Sequence, residues 1–234
     1  AKSAHVVLLV HPALAEYLRL ANLADEILCE APTEQGDFDY QASLFDIPYL
    51  LKINIGTIPH SIYLPTPQID EDITLPDDGR PKIGVVWAGK KDYGDDRRRS
   101  LSLATFADLF NEKGALFFNL TRETKPDDDD ILATRSVGNL SSKLTDFYAT
   151  AQFIAQLDLV ITCDTAVAHL AGGMGKRVWI LLPFSPDWRW LLAREDSPWY
   201  PSARLFRQKK KADWAGVVTR VRTELAVFVK DKIL

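Results

Sequence analysis

Three polar residues, Thr162, Asp164 and Thr165, occupy a short turn whose place in the chain suits the binding of an anion. The turn follows residues 157–161, an apolar and β-branched stretch that is short enough to be a buried strand, and it precedes a helix-like stretch. In a parallel α/β sheet such a turn lies at the carboxyl end of its strand, where ligands bind. A helix that begins near Thr165 directs free N–H groups and the positive end of its dipole there. These residues predict a diphosphate site.

A second group of polar residues, Asp96, Arg97, Arg98, Arg99 and Ser100, immediately precedes another predicted helix. Guanidinium groups keep their charge at physiological pH and present paired donors, so one or two of these arginines can neutralise the charge that develops on a departing diphosphate. A metal ion would otherwise have that role. The alternative interpretation is a solvated run of charges that screen one another.

Further residues are predicted to lie at the same edge of the sheet. Gly89 and Lys90 follow a predicted strand that ends at Trp87, and a glycine at such a position lets a ligand approach the backbone. Thr121 ends the next strand and is a candidate for lining the nucleotide pocket. The chain contains no G-x-G-x-x-G sequence, which disfavours a nicotinamide or flavin site and therefore an oxidoreductase.

Two other segments stand out by composition. The four consecutive aspartates at 127–130 cannot all point at one ion, and no EF-hand spacing follows them, so a solvated loop is predicted there rather than a metal site. The segment DWRWLLAREDSPWYP, at 187–201, holds three tryptophans and a tyrosine. Aromatic faces suit sugar rings, but packing is the favoured prediction for Trp190 and Trp199.

Hydrophobic periodicity from Lys82 onward predicts alternating strands and helices. The predicted strands are 83–87, 116–120, 157–161, 178–182 and 205–207. The predicted helices are 103–111, 147–156, a helix from about 165 to the glycines at 172, 173 and 175, and a final helix at 214–229 with one buried face. Residues 88–100 are predicted to form a loop.

The pattern before Lys82 is less regular. Candidate strands at 5–10 and 26–29 flank a candidate helix at 12–21, and apolar stretches at 38–44 and 47–55 continue an α/β pattern. A segment with four prolines and an acidic run then lacks periodicity, which marks a linker. We therefore predict a partial N-terminal domain at 1–64, a linker at 65–81 and a second domain at 82–234.

Composition excludes several classes of protein. The 234 residues, 47% of them hydrophobic, can bury a sizeable core. The net charge of −4 and the lack of a basic stripe argue against nucleic-acid binding, while residues 81–234, with a net charge of +5, suit an anionic ligand. Cys29 and Cys163 are predicted to be reduced thiols, as in a cytoplasmic protein. No apolar run is long enough for a membrane span, and no signal peptide is predicted.

Four segments carry a resemblance to a known family: IGVVWAGK at 83–90, DRRRSLSLATFADLF at 96–110, DTAVAHLAGGMGK at 164–176 and WILLPFSPDWRW at 179–190. Together they resemble the C-terminal half of glycosyltransferases in the family of the lipopolysaccharide heptosyltransferases. The resemblance is strong over 82–218 and weaker over 6–64. It is closest to the bacterial branch in which this module follows tetratricopeptide repeats, although no such repeat is present in this chain.

This resemblance implies an α/β fold of two Rossmann-like domains that face each other across a cleft, the GT-B arrangement. The N-terminal domain is expected to be incomplete, because its first strand and glycine-containing loop have no counterpart in the sequence. The implied activity is a metal-independent transfer of a sugar from a nucleoside-diphosphate sugar to a hydroxyl acceptor on lipopolysaccharide, another glycan or a protein, without a cofactor. The implied place is the cytoplasm, with peripheral membrane association possible and tetratricopeptide repeats elsewhere in the parent protein.

The resemblance also implies roles for single residues. Asp164 is expected near the transferred sugar and Arg99 at the cationic position, and both are predicted to be catalytic. The residues and the resemblance together predict the nucleotide-sugar-binding set Gly89, Lys90, Arg97, Ser100, Thr121, Asp146, Thr165, Ala166, His169 and Asp187.

Alternatives remain open for these residues and for the whole chain. Asp164 or Thr165 could merely cap the helix, and His169 could satisfy a neighbouring carbonyl. No catalytic base is assigned. A truncated, non-catalytic nucleotide-binding or regulatory module of the same fold is the alternative function.

Overall fold

Buried β-branched strands alternate with helices and build a mixed α/β structure with two parallel sheets. The computed structural model describes residues 4–31, 38–90 and 96–233, and only the backbone of Arg97 and Ile233. The strands are β1 (Val7–Leu9), β2 (Glu26–Leu28), β3 (Lys82–Val86), β4 (Leu116–Asn119), β5 (Gly138–Asn139), β6 (Leu159–Cys163), β7 (Val178–Leu182) and β8 (Ala203–Arg207). The α-helices are α1 (Pro12–Leu20), α2 (Ile47–Leu50), α3 (Asp96–Arg99), α4 (Leu103–Phe106), α5 (Pro126–Thr134), α6 (Phe147–Ala155), α7 (Ala166–Gly173) and α8 (Trp214–Ile233).

The larger sheet has six parallel strands in the order β5-β4-β3-β6-β7-β8. After β3, the strands β4 and β5 are added on one side of it. β6 then pairs with the other side of β3, and β7 and β8 follow in that direction, so the strand order reverses between β3 and β6. Their register pairs Val85 with Ile161 and Val86 with Thr162. Because the loops after β3 and β6 leave toward opposite sides, a crevice opens beyond the carboxyl ends of these strands.

Helices cover both faces of this sheet, which is why every residue of β6 and β7 is buried and all of them except Thr162 are apolar. On one face α4 and α8 pack over a layer that contains Phe106, Phe110 and Phe117. On the other face α6 and α7 pack over a second layer around Phe153. The predicted buried face of the final helix is confirmed, because all five of its apolar positions, Val217, Val218, Val221, Leu225 and Phe228, are buried.

The N-terminal segment packs onto the second layer. β1 and β2 form a two-stranded parallel sheet, and α1 lies against α6. Tyr17 of α1 is 1% exposed, and its hydroxyl donates to the carbonyl of Pro65 at 2.6 Å. Leu64 and Leu75 join the same apolar cluster. The predicted domain boundaries at 64 and 81 stay a prediction.

A glycine at the end of α7 holds the segment before the linker. The backbone N–H groups of Tyr63 and Leu64 both donate to the carbonyl of Gly173, at 3.2 and 3.1 Å. A Cβ on Gly173 would lie 2.8 Å from Leu64 Cδ1 and 2.9 Å from Tyr63 Cζ. Close backbone approach therefore explains the glycine at this position, because any larger residue would push the segment away.

Several predicted elements need correction. The predicted loop at 127–130 is wrong, because these residues lie in α5, where Pro126 suits the first turn and the aspartates favour the positive end of the helix. Asp128 is nearly buried and accepts from the Lys125 N–H at 3.0 Å. The predicted loop at 88–100 contains the one-turn helix α3, and its residues 91–95 lie outside the described residues.

Smaller differences concern the ends of elements. The strand predicted at 157–161 is β6, which both begins and ends two residues later. Cys163 is its last residue, and the polar turn begins at Asp164. The helix predicted at 103–111 is α4 followed by a 3-10 turn, and residues 38–44 form neither helix nor strand. The two cysteines are free, as predicted. In the described part of the chain, no helix combines the length and apolar character that a membrane span requires.

We predict that Gly84→Val destabilises the sheet. Gly84 lies in β3, where an added Cβ would be 2.4 Å from Leu157 Cδ1 and 2.7 Å from Leu120 Cδ1, and both leucines are buried. Overpacking of this kind lowers the free energy of unfolding by about 1–3 kcal/mol, measured by urea denaturation. Gly56→Val is the matched control, because its Cβ meets only the Asn54 side chain at 3.4 Å. Equal stability of both variants would contradict this packing.

Candidate functional site

A cavity of about 500 Å³ opens at the carboxyl ends of β6 and β7, beside the point where the strand order reverses. The end of α3, the turn after β6, the first turns of α7 and the loop after β7 surround it. Its charged groups are three arginines and two aspartates. The lining residues are Arg98, Arg99, Asp164, Thr165, Ala166, His169, Pro183, Ser185, Pro186, Asp187 and Arg189.

The N-terminus of α7 forms the floor of this cavity. Thr165 is the residue before the helix, but its hydroxyl does not cap the helix. It lies 3.0 Å from the Thr162 hydroxyl, which in turn donates to the carbonyl of Cys163 at 2.8 Å. The alternative in which the Thr165 side chain merely caps the helix is therefore wrong. The side chain of Thr165 leaves the first-turn N–H groups of α7 available to an anion.

Asp164 presents a half-buried carboxylate to the same space. Burial raises the pKa of this carboxyl group, and the negative charge of Asp187 adds to the rise. The indole of Trp190 and the guanidinium groups of Arg99 and Arg189 act in the opposite direction. Opposing charges of this kind are typical of functional sites, where a carboxylate must meet a ligand in a poorly solvated place.

Trp190 forms the wall behind Asp164. Its side chain is fully buried, which confirms the predicted packing role, and its ring stacks on His169 with the centroids 5.1 Å apart. The indole N–H is near enough to Asp164 to lower the pKa of the carboxyl group. Even so, this indole N–H makes no hydrogen bond of acceptable geometry to any of the described residues. A buried donor without an acceptor is uncommon in folded proteins and draws attention to this corner of the cavity.

His169 is held as a neutral imidazole. Its Nδ1 lies 2.9 Å from the hydroxyl of Tyr200, so its partner is a hydroxyl group rather than the expected carbonyl. Burial lowers the pKa of His169 to about 4, and the nearby charge of Arg189 adds to this effect. At neutral pH the ring therefore contributes a hydrogen-bonding group to the cavity but no charge.

A network of short contacts holds Arg99 against the loop after β3. The Asp96 carboxylate accepts from the Ser100 hydroxyl at 2.8 Å and from Arg99 Nε at 3.3 Å, and the Ser100 hydroxyl accepts from the Gly89 N–H at 3.0 Å. A Cβ on Gly89 would lie 2.6 Å from Arg99 Nη2. The glycine is thus needed for the approach of Arg99 itself.

The structure brings some predicted residues together and leaves others apart. Arg99, Asp164, Thr165, Ala166, His169 and Asp187 line the cavity, and Gly89 and Ser100 support Arg99 from behind. Thr121 is buried at the end of β4, and Asp146 caps α6 by accepting from the Ala149 N–H at 2.8 Å. These two and Lys90 do not line the cavity, and the side chain of Arg97 lies outside the described part of the chain. All the assigned roles stay predictions.

Two charged residues of the cavity were not among those predicted to bind the ligand. Arg189 lies between Trp188 and Trp190 and forms an ion pair with Asp187 at 2.9 Å. Its position in the tryptophan-rich segment was visible in the sequence, but only the fold shows that this loop returns to Asp164. Arg98 belongs to the predicted arginine group and lines the cavity beside Arg99. Among the described residues no three His, Cys, Asp or Glu side chains converge as metal ligands do.

Comparison with known proteins gives a distant relative and several similar folds. No family model matches the chain. One relative, protein FlbA of Caulobacter vibrioides, is 28% identical over 157 residues, which cover 63% of this chain and 25% of FlbA. The chain therefore spans about a quarter of the length of this relative.

Similar solved structures include two heptosyltransferases of E. coli. WaaC with ADP matches 68% of this chain and 46% of its own, with 12% identity and a TM-score of 0.45. ADP-heptose lps heptosyltransferase II matches 100% of this chain and 66% of its own, with 16% identity and a TM-score of 0.48. The chain covers less than two thirds of each heptosyltransferase.

We predict a pH-dependent loss of stability that depends on His169. Its folded pKa of about 4 lies below the unfolded value, so the unfolded chain takes up a proton first and stability falls as the pH drops below about 6.5. Between about pH 7.5 and about pH 5 the free energy of unfolding should fall by about 2 kcal/mol on this account. Urea denaturation of the wild type and of His169→Gln measures it, and the variant should lack this part of the slope. If the free energy of unfolding depends on pH equally in the wild type and in His169→Gln, a buried neutral imidazole at this position is contradicted.

Proposed function

We propose that this chain carries the donor site of a metal-independent glycosyltransferase, which moves a sugar from a nucleoside-diphosphate sugar to a hydroxyl acceptor. The observation that carries the proposal is the meeting of three arginines, two aspartates and an uncapped helix N-terminus in one cavity. An activated sugar has a doubly charged diphosphate, which suits the arginines and the helix N-terminus, and a sugar ring with hydroxyl groups, which suits the aspartates. The motifs that resemble the heptosyltransferase family contribute most of the lining residues.

The diphosphate has a matching set of donors. The first N–H groups of α7 carry partial positive charge, and Ala166, the first residue of this helix, lines the cavity. Arg99 approaches from α3 and Arg189 from the loop after β7, and both lower the pKa of Asp164, which shows that their charge reaches the same space. Such groups are in place before the reaction and need no reorganisation as charge develops on the leaving group.

The sugar has a matching set of acceptors. Asp164 and Asp187 present carboxylate oxygens, which accept hydrogen bonds from hydroxyl groups more strongly than neutral oxygens do. The two carboxylates interact, since Asp187 raises the pKa of Asp164. Arg189 bonds to Asp187 and fixes its direction. This arrangement favours a neutral, hydroxyl-rich group between the two aspartates and the guanidinium groups.

The chemistry balances without a redox partner. The bond between the anomeric carbon and the diphosphate oxygen breaks, and its electron pair leaves with the nucleoside diphosphate, where the arginines stabilise the charge. The acceptor oxygen forms the new bond to the anomeric carbon and loses its proton to a base. We assign Arg99 to the leaving group and Asp164 to orientation of the sugar, and we do not place the base in the described cavity.

The larger setting is part of the same proposal. Residues 82–234 would supply one side of a cleft between two Rossmann-like domains, the GT-B arrangement, and the incomplete N-terminal domain at 1–64 would belong to the acceptor side. The acceptor would be a glycan, lipid-linked or protein hydroxyl, and the parent protein would be cytoplasmic and would carry tetratricopeptide repeats. The reversal of strand order between β3 and β6 supports a nucleotide site in this sheet.

We predict that nucleoside diphosphates bind in the presence of a chelator. ADP, UDP and GDP, titrated by calorimetry with EDTA, should include at least one that binds about tenfold more tightly than its monophosphate, because the second phosphate adds contacts to Arg99 and α7. Arg99→Gln should weaken that binding by about tenfold. Lys210→Gln is the matched control, because it also removes one positive charge and Lys210 is exposed and does not line the cavity. Binding that requires a divalent metal would contradict the proposal.

We predict that Asp164→Asn separates binding from transfer. The amide keeps the shape of the side chain but loses the charge that holds the sugar, so donor hydrolysis or transfer should fall more than about tenfold. Binding of the diphosphate should stay within about twofold, because Asp164 is not assigned to the phosphates. Asp130→Asn, on the exposed side of α5, controls for a generic loss of one carboxylate.

Three results of this assay can be told apart. Loss of turnover in Asp164→Asn alone supports the enzyme. Nucleotide binding without turnover in the wild type supports the alternative, a non-catalytic nucleotide-binding or regulatory module. Full turnover in Asp164→Asn would remove the proposed role of this carboxylate.

A further inference from the structure

The loop between β7 and β8 brings three functional groups to the cavity. Asp187, Arg189 and Trp190 all lie on it, and the first two line the cavity while the third forms its wall. The loop has little regular structure beyond the 3-10 turn Trp188–Trp190. Asp187 and Arg189 pair with each other within the loop, so contacts from outside determine where this pair and Trp190 lie as a unit.

The backbone of the loop is also held in an unfavourable conformation. Leu191 and Ala193 have φ angles of 55° and 52°, in the left-handed region that residues with a Cβ rarely adopt. Neither residue is a glycine, asparagine or aspartate. A loop with two such residues keeps its shape only where the surroundings hold it.

Arg207, the last residue of β8, supplies the contacts that hold it. Its guanidinium group donates from Nε to the carbonyl of Arg194 at 2.8 Å, from Nη1 to the carbonyl of Leu191 at 2.9 Å and from Nη2 to the carbonyl of Trp190. One side chain thus joins Leu191, the residue that follows Ala193 and the residue that stacks on His169. The planar fork of an arginine suits this task, and no other side chain can place three donors in one plane.

Two other side chains, one that follows β8 and one within the loop, hold further parts of it. Gln208 accepts from the N–H of Phe184, at the start of the loop, at 3.1 Å. The indole N–H of Trp199 donates to the carbonyl of Arg189 at 3.0 Å. Arg204, three residues before Arg207 on β8, has a different role. Its guanidinium group pairs with Glu224 at 2.6 Å and, at 3.7 Å, with the side chain of Glu195 in the loop, and it donates to no loop carbonyl in the described contacts.

We propose that Arg207 is a positioning residue for the cavity, which holds Trp190 against His169 and Asp164 and sets Arg189 and Asp187 for the ligand. It does not touch the ligand itself. The part of this inference that concerns donor binding rests on the proposed function, while the part that concerns the loop does not.

The test replaces Arg207 and follows His169 by NMR. In Arg207→Gln the carbonyls of Trp190 and Leu191 lose their shared donor, so Trp190 should leave its stacked position and water should reach the imidazole. The pKa of His169 should then rise from about 4 toward the ordinary histidine value of about 6.5. A His169→Gln spectrum identifies the resonance. Arg204→Gln is the matched control and should leave the pKa of His169 unchanged.

A second measurement links the loop to the ligand. Affinity for the nucleoside diphosphate that binds the wild type most tightly, measured by calorimetry, should fall at least about fivefold in Arg207→Gln and less than about twofold in Arg204→Gln. Arg207→Lys keeps the charge but can reach only part of the carbonyl set, so it should lie between the wild type and Arg207→Gln. It also serves as the test variant if Arg207→Gln does not fold.

The outcomes distinguish positioning from plain stabilisation. If the variants at Arg207 melt at lower temperature but titrate His169 at about pH 4, as the wild type does, Arg207 only stabilises the fold and the inference is overturned. If the pKa of His169 rises but the wild type binds no nucleoside diphosphate, the positioning role stands and the proposed function fails. If the pKa of His169 rises in Arg204→Gln as much as in Arg207→Gln, the specific role of Arg207 is also overturned.

Discussion

The site depends on one constraint of the parallel sheet, namely that the strand order reverses between β3 and β6. Every strand of a parallel sheet ends at the same edge, and helical connections normally cover that edge from one side or the other. At the reversal the connections after β3 and β6 diverge, so the edge stays open. Asp164 and Thr165 directly follow β6, and the loop that receives Arg99 follows β3. The chemical groups meet because these two strands are neighbours.

Electrostatics in this crevice depend on limited access of water. Burial pushes Asp164 and His169 toward their neutral forms, as the directions of their pKa shifts show. The arginines cannot lose their charge in the same way, so they remain the fixed positive groups of the cavity. The cavity therefore keeps its positive charges more firmly than its negative charges, which favours an anionic ligand.

The cavity is coupled to the rest of the fold through aromatic and glycine contacts. His169 bonds to Tyr200, and Tyr200 occupies the space that Gly172 leaves open on α7, where an added Cβ would lie 2.4 Å from its ring. Burial raises the pKa of the Tyr200 hydroxyl group, and Tyr63, from the segment that bonds to Gly173, adds to the rise. The glycines near the end of α7 thus join the N-terminal segment to a residue that lines the cavity.

The α/β alternation from residue 82 onward, the polar turn at Asp164 and the arginines near Arg99 could be predicted from the residues alone. Hydrophobic periodicity and local motifs depend only on neighbours in the chain. The helix at Pro126–Thr134 was not predicted, because a run of aspartates is typical of a solvated loop. Pro126 in the first turn and the favourable effect of the helix dipole on the aspartates explain the helix. The folded structure was needed to show that Thr121 and Asp146 lie outside the cavity and that Arg189 lines it. It also decided that Arg207, far from the motif at 164–176, holds the loop in place. These are contacts between distant parts of the chain, and the packing that creates them leaves no periodic or local pattern in the residues themselves.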